Sequence, residues 1–269
     1  MDWDEMARPW LEAAPDLETS FSEVFEALFE TAQIKSGETV LDVGCGTGPT
    51  LFHAAKAVGA EGRVVGIDIA PPLIAAAKKR APGNVDLIIG DAGSHAYEPG
   101  AFDAIVANFG IMFFDDNEAA FANLRSAAKP DGRLTATFWA TPPENPWFSM
   151  PRRIVDDIVE DVPKPDPAGP GPMRFGDPTS LIAIMKRTGW KTNVETLDLM
   201  LRPPGPIERV AELHMKVTVG MMLKGVEVAE HKLNDIKLAV MDACKQYESE
   251  HGIAVPARIH VIEAVATQA

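Results

Sequence analysis

Val40-Leu41-Asp42-Val43-Gly44-Cys45-Gly46-Thr47-Gly48-Pro49 is the stretch that decides how this chain folds. Thr39 to Val43 is a short β-branched and apolar run that reads as a buried strand. The glycines at 44, 46 and 48 let the backbone bend tightly, and let a ligand approach it without meeting a Cβ. Pro49 suits the first turn of a helix, where its missing N–H does no harm, and Pro49 to Val58 reads as that helix. Pro49 also stands where the dinucleotide fingerprint G-x-G-x-x-G needs its third glycine, which disfavours a nicotinamide dehydrogenase. No Gly-Lys-Ser/Thr follows, as a phosphate loop would require. A glycine loop without basic support suits a ligand that carries no phosphate.

Outward from the loop, the pattern repeats. Arg63 to Ile69 is a second strand, and Pro71-Pro72 opens the next helix. Val85 to Ile89, Phe102 to Asn108 and Arg133 to Trp139 are three further strands. A helix over Asp116 to Ala128 ends at Lys129-Pro130-Asp131-Gly132. Strands alternating with helices predict an open parallel sheet covered on both faces. Asp68 closes the second strand, 20 residues beyond Gly48, where a carboxylate can accept both hydroxyls of a ribose. Asp91-Ala92 follows the third strand, in position to face an adenine edge.

Taken together, Thr39 to Ala140 resembles the class I S-adenosylmethionine-dependent methyltransferases. The glycine motif, the two acids and the Lys129-to-Arg133 turn all stand in order. The resemblance implies a Rossmann-like, doubly wound α/β fold with a seven-stranded sheet whose last strand is antiparallel. It also implies roles. Gly44, Cys45, Gly46 and Gly48 line the amino-acid part of the cofactor, and Asp42 contacts or orders that end. Asp68 holds the ribose, Ile69 packs on adenine, Asp91 with Ala92 meets the adenine amine, and Asn108 sits near the methionyl amine and the methyl. The Asn/Asp-Pro-Pro-aromatic signature of nucleic-acid amino methyltransferases is absent, since Asn108-Phe109-Gly110-Ile111 stands there. The whole order through Asn145-Pro146-Trp147 is similar to a broad bacterial group related to ubiquinone/menaquinone C-methyltransferases.

After Trp139 the rhythm stops. Ten prolines between 141 and 178 argue against regular structure, apart from a short helix over Ile154 to Val159. Leu181 to Thr188 reads as a helix, Lys191 to Leu201 as a strand and Ala257 to Ala266 as the closing strand. Val226, Ala229, Leu233, Ile236, Val240 and Tyr247 form an apolar stripe at helical spacing. The expected division is an acidic arm and helix over 1–36, a core over 37–202 and 254–269, and an inserted helical lid over 203–253. Thr19-Ser20 is expected to cap the helix that carries Phe21, Val24, Phe25, Leu28 and Phe29.

The chain has 269 residues and a net charge of −14, and its hydrophobic share of 46% is that of an ordinary globular protein. Residues 1–30 hold nine acids against Arg8, a net of −8. The longest basic run is Lys78-Lys79-Arg80, so nucleic acid is a poor partner. The acidic start is unlike a signal peptide, and no apolar run approaches a membrane span. A cytoplasmic enzyme without stable membrane association is expected, with a small-molecule acceptor. Two cysteines 199 positions apart build no disulfide framework, and no histidine–carboxylate cluster is left over for a metal. His95 and His214 are the candidates for a general base. Trp139, Trp147 and His214 are the candidates for acceptor contact, and Trp3 and Trp10 for closing over the cofactor. The rival readings are a quinone-type C-methyltransferase with a lipidic substrate and a regulator that binds S-adenosylmethionine without catalysis.

Overall fold

The computed structural model describes residues 3–166 and 169–267, with side chains from Ala7 onward. Its sheet contains β1 (Thr39–Val43), β2 (Arg63–Asp68), β3 (Val85–Ile89), β4 (Phe102–Asn108), β5 (Ala128–Trp139), β6 (Trp190–Leu201) and β9 (Val255–Ala266). The two short strands β7 (Glu248–Ser249) and β8 (Gly252–Ile253) pair only with each other. Seven strands run in the order β3-β2-β1-β4-β5-β9-β6, and β9 is antiparallel to both β5 and β6. Side chains alternate between faces along each strand. Leu41, Val65 and Ile105 therefore enter one buried cluster while Val40, Val64 and Val106 enter another. Both faces are packed, as a parallel sheet requires.

The connections are α3 (Pro49–Val58), α4 (Pro71–Lys78) and α5 (Asn117–Ala127), then α6 (Pro146–Ile158) and α7 (Thr179–Arg187), with α1 (Trp3–Ser20) and α2 (Ser22–Ala32) preceding β1. Between β6 and β9 the chain forms α8 (Ile207–His214), a π-helical stretch Met215–Val219, the short α9 (Gly220–Met222) and α10 (Glu230–Cys244). α10 packs against α8 and α6 and buries Ile236, Val240 and Cys244.

Three local expectations are corrected. Thr19 and Ser20 cap nothing: they end α1, and their hydroxyls donate to the carbonyls of Pro15 and Asp16. Phe21 separates α1 from α2 and makes no side-chain cap. The helix expected from Ile154 begins eight residues earlier, at Pro146, since a proline at the first helical position forgoes no bond. Pro151 lies inside that helix and is itself buried. Finally, β5 begins at Ala128 rather than Arg133. The ladder pairs Phe102 with Ala128 and then Ala104 with Arg133, so Lys129 to Gly132 is extruded as an irregularity, with Asp131 left-handed at φ +60°.

This topology locates the site. β1 and β4 are neighbours, yet the chain leaves β1 towards β2 on one side and β4 towards β5 on the other. The loops after β1 and β4 diverge, which opens a crevice at the carboxyl edge between them.

Candidate cofactor and acceptor site

The glycine loop forms one wall of a cavity in that crevice. Gly44 and Cys45 donate their N–H groups to the Ile67 carbonyl at 2.9 and 3.1 Å, and Gly48 donates to Cys45 at 2.9 Å. These bonds need left-handed backbone at Gly44, Gly46 and Gly48, with φ of +68°, +54° and +97°. A Cβ on Gly46 would meet nothing within 4 Å, so open space lies beside the loop where a ligand can reach main-chain atoms. Cys45 is buried, and burial raises its thiol pKa well above the ordinary value, so it serves packing rather than nucleophilic chemistry.

Asp68 is the loop's anchor. Its Oδ2 accepts from Gly46 N–H at 2.8 Å and its Oδ1 from Ala70 N–H at 2.9 Å. Burial raises its pKa, opposed by these donors. Ile69, beside it, lines the cavity and is 48% exposed, although Ile67 and Ala70 around it are buried. Asp91 also lines the cavity, its two oxygens accepting from Gly93 N–H and Ser94 Oγ. Ala92 lies behind it with its side chain buried, and its carbonyl accepts from the Tyr97 hydroxyl at 3.2 Å. Asn108, at the end of β4, lines the cavity with its Oδ1 accepting from Thr137 Oγ1 at 2.6 Å. That bond leaves the amide's two N–H donors for a ligand.

Asp42 is fully buried beneath the loop. Thr50 Oγ1 donates to its Oδ2, while Oδ1 has no protein partner. Burial, supported by the nearby Asp68 charge and opposed by Thr50, pushes its carboxyl up to about 7. An acid whose folded pKa exceeds its ordinary 3.8 favours the folded state when protonated, and loses that stability as pH rises from 3.8 towards 7. The ligand-free protein should therefore lose on the order of 4 kcal/mol across that window from this group alone. Asp42→Asn is expected to flatten the loss in urea titrations at pH 4, 6 and 8. A pH dependence equal to that of the native protein would show that Asp42 is not its source.

The opposite wall is aromatic. Phe109 is left-handed at φ +59°, and that turn lays its ring on Trp139 at 4.2 Å, nearly parallel. Phe21 meets both rings edge-on, and Phe148 meets Trp139 edge-on at 5.1 Å. Trp147 sits beside them, its ring 4.2 Å from that of His214. Phe113, Met221 and Val217 complete this side. The titratable side chains that line the cavity, Glu18, Cys45, Asp68 and Asp91, belong to the arm, the glycine loop and the ends of β2 and β3.

Of the residues singled out in the sequence, Gly44, Cys45, Gly46, Asp68, Ile69, Asp91, Asn108, Trp139 and Trp147 line this one cavity. Asp42, Gly48 and Ala92 lie directly behind it, and Gly48 caps α3. His95 does not line it; its ring packs edge-on against Tyr97 at 4.8 Å. His214 does not line it either, but touches Trp147, which does. Trp10 lines the cavity, whereas the Trp3 side chain lies outside the described residues. Sequence reading missed Glu18, whose carboxylate accepts from Thr47 Oγ1 at 3.1 Å and pairs with Arg80 at 2.8 Å. It also missed Phe109, whose left-handed turn has no sequence signal in a non-glycine residue.

A family model described as a methyltransferase domain matches residues 40–132, the span from the glycine loop to the Pro-Asp-Gly turn. Nocamycin O-methyltransferase of Saccharothrix syringae is 36% identical over 198 residues, covering 68% of this chain and 70% of that one. The chain belongs to the S-adenosylmethionine-dependent methyltransferases. Aklanonic acid methyltransferase DauC of Streptomyces sp. (strain C5) is 35% identical over 44% of this chain and 55% of its own length. The demethylmenaquinone methyltransferase of Thermus thermophilus is 37% identical over 41% of this chain and 51% of its own, so the match spans about half of each of these two relatives. Among solved structures, the YcgJ protein of Bacillus subtilis superposes with a TM-score of 0.60 at 15% identity, covering 92% of this chain and all of that one. Phosphoethanolamine N-methyltransferase 2 of Haemonchus contortus, solved with S-adenosyl-L-methionine, gives 0.56 at 17% identity, over 91% of this chain and 53% of that one. At such identities these two likenesses speak for the fold.

The methyltransferase's cavity fits its cofactor on its own geometry. The open space at Gly46, the exposed Ile69 and the unpartnered buried Oδ1 of Asp42 lie along one wall or just behind it. Among the described residues no three His, Cys, Asp or Glu side chains group as a metal site, and no helix is long and apolar enough to cross a membrane.

Proposed function

We propose that this enzyme methylates an oxygen of a flat, largely apolar aromatic acceptor. The observation that carries the reading is the stacked Phe109–Trp139 pair, which lines the same cavity as the glycine loop together with Phe21, Trp147 and Phe148. Two relatives named for O-methylation of nocamycin and for methylation of aklanonic acid support it. Asp68 would take the ribose hydroxyls, Ile69 the adenine face and Asp91 its amine, with the Ala92 backbone beside it. Gly44, Cys45, Gly46 and Gly48 would shape the space for the amino-acid end, which Asp42 orders from behind. Asn108, its amide fixed by Thr137, would direct its N–H donors towards the same end.

When bound, S-adenosylmethionine supplies a methyl carbon made electrophilic by a positively charged sulfur. The aromatic wall holds the acceptor and excludes water, so that its oxygen approaches that carbon in line. No histidine, lysine or tyrosine among the described residues lines the cavity, so the reacting oxygen is an acidic one, a carboxyl or phenol that ionises on its own. The test is incubation with methyl-tritiated cofactor and two panels, aromatic carboxylic acids with phenols against aliphatic amines. Label should enter the first panel as base-labile esters or as aryl ethers; C- or N-methyl products would overturn the reading. Phe148→Ala, which removes a half-buried ring, is expected to raise the acceptor KM about tenfold. Affinity for S-adenosylhomocysteine should stay within threefold, and a parallel loss of both would put Phe148 in the cofactor site instead.

A further inference from the structure

β6 closes the sheet on one side, and among the described residues no strand lies beyond it. Backbone groups alternate along a strand, so every second residue bonds to β9 and the others turn their N–H and C=O outward. Two observations fix which set is which. The Gly189 carbonyl, at the head of β6, accepts from Thr267 N–H at the tail of β9, whereas Met200 N–H points away from β9 and donates to Glu23 of α2 at 2.8 Å. The even-numbered residues therefore face the open edge. Its far end is stopped by Glu23 on Met200 and by the ion pair of Asp198 with Arg258 at 2.6 Å. Thr192, Val194 and Thr196 are left to present their backbone. Such an edge is a template for another strand, and proteins blunt it with short strands or proline. The opposite edge, β3, runs only from Val85 to Ile89, whereas β6 has 12 residues and no proline.

The side chains say which strand fits. Lys191, Asn193 and Glu195 share one face of β6 and are all exposed. Across β9 they face Val265, Glu263 and Val261, so neither Lys191 nor Glu195 has an opposite charge directly across. We propose that β6 is a dimerisation edge, pairing antiparallel with β6 of a second copy about a two-fold axis at Asn193. That register sets Lys191 opposite Glu195 of the second copy, and Glu195 opposite its Lys191. The odd positions become the non-hydrogen-bonded pairs, where side chains come closest, while Thr192 and Val194 of the two copies exchange backbone bonds. Opposite charges in such pairs stabilise and like charges destabilise. Moving the axis to Val194 sets Lys191 against Leu197, and moving it to Glu195 sets that carboxylate against its own copy. The charge pattern thus selects the register that uses the open half of the edge and stops short of the Glu23 cap. The contact is isologous, and it joins the two sheets into one. The paired segment, Trp190 to Thr196, buries less than the ~1,600 Å² of a standard interface, so the dimer is a weak one. No residue of β6 lines the cavity, so each subunit keeps its own site.

Sedimentation velocity from about 5 to about 200 µM, a range suited to a weak interface, tests the assignment. The native protein is expected to move from monomer towards dimer as concentration rises. Lys191→Glu and Glu195→Lys each set like charges opposite one another twice, so both should stay monomeric. The double variant Lys191→Glu/Glu195→Lys restores the opposite pairs and should dimerise again. Val194→Pro removes an outward N–H and leaves the β9 ladder intact, so it too should be monomeric. β5 and β9 separate β6 from β4 and the crevice, so every variant should bind S-adenosylhomocysteine within threefold of the native protein, which shows that it is folded. A native protein that stays monomeric throughout would leave the edge to a strand of some other protein and overturn the assignment. A dimer indifferent to Lys191→Glu and Val194→Pro, or a folded charge swap that stays monomeric, would overturn it as well.

Discussion

Asp68→Ala is expected to lower the affinity for S-adenosylhomocysteine at least about 100-fold in calorimetry, or roughly 2.7 kcal/mol. The carboxylate acts twice. It holds the glycine loop and the next helix through the N–H groups of Gly46 and Ala70, at 2.8 and 2.9 Å. Each oxygen keeps a second lone pair for a ribose hydroxyl. Hydrogen bonds to a charged group contribute about 1.5–3 kcal/mol each, so losing the loop's anchor and the sugar's acceptor together makes the effect large. Asp68→Asn, which keeps one acceptor oxygen, should fall between the two. An Asp68→Ala protein that binds within threefold of the native one would remove Asp68 from the site.

The second large effect comes from a glycine of the cavity lining, Gly110. A Cβ on Gly110 would lie 2.5 Å from the Val43 carbonyl oxygen and 3.5 Å from Gly44 Cα. Both are backbone atoms at the end of β1, so nothing flexible can give way. Gly110→Ala must part the ends of β1 and β4 and carry the glycine loop with it. Overpacking of this kind costs about 1–3 kcal/mol or more, so unfolding some 5 °C lower is expected, with cofactor affinity down tenfold or more. Gly46→Ala is the control. Its methyl would meet no protein atom, and only its left-handed φ of +54° costs stability, about 1–2 kcal/mol. It should lose cofactor affinity far more than melting temperature. Equal melting temperatures for Gly110→Ala and the native protein would refute the close-packing argument.

Much of the cofactor wall could be read in the chain because its signals are local. Strand, three glycines and a helix-opening proline occupy ten consecutive residues, Asp68 ends the next strand and Asp91 follows the one after it. The extent of α6 was hidden by prolines, which punctuate loops but also start helices. The acceptor wall was only partly legible. Trp139 and Trp147 stood out by type and place, yet their partner Phe21 arrives from the junction of α1 and α2, more than a hundred residues earlier. Glu18 was one acid among nine in the acidic arm, with nothing to single it out. Its bonds to Thr47 and Arg80 depend on α1 lying across the site, which no local pattern encodes. His214 was visible as a histidine, but its complete burial against the Trp147 ring exists only once the helices have packed.

Four acids of the α1–α2 region are held in ion pairs. Asp16 pairs with Arg209 of α8 and Glu12 with Lys216 of the π-helical stretch, while Glu18 pairs with Arg80 beyond α4 and Glu23 with Arg202 after β6. Residues 12–23 thus act as a buckle whose prongs engage both sides of the crevice. The Asp16 and Glu23 bonds close loops of 193 and 179 residues, among the longest-range contacts in the molecule. Such contacts form only after the parts they join are already folded. Each is an exposed pair of modest strength, weakened by salt. The element that fastens the doorway is therefore also the one that can be undone at least cost to the sheet beneath it.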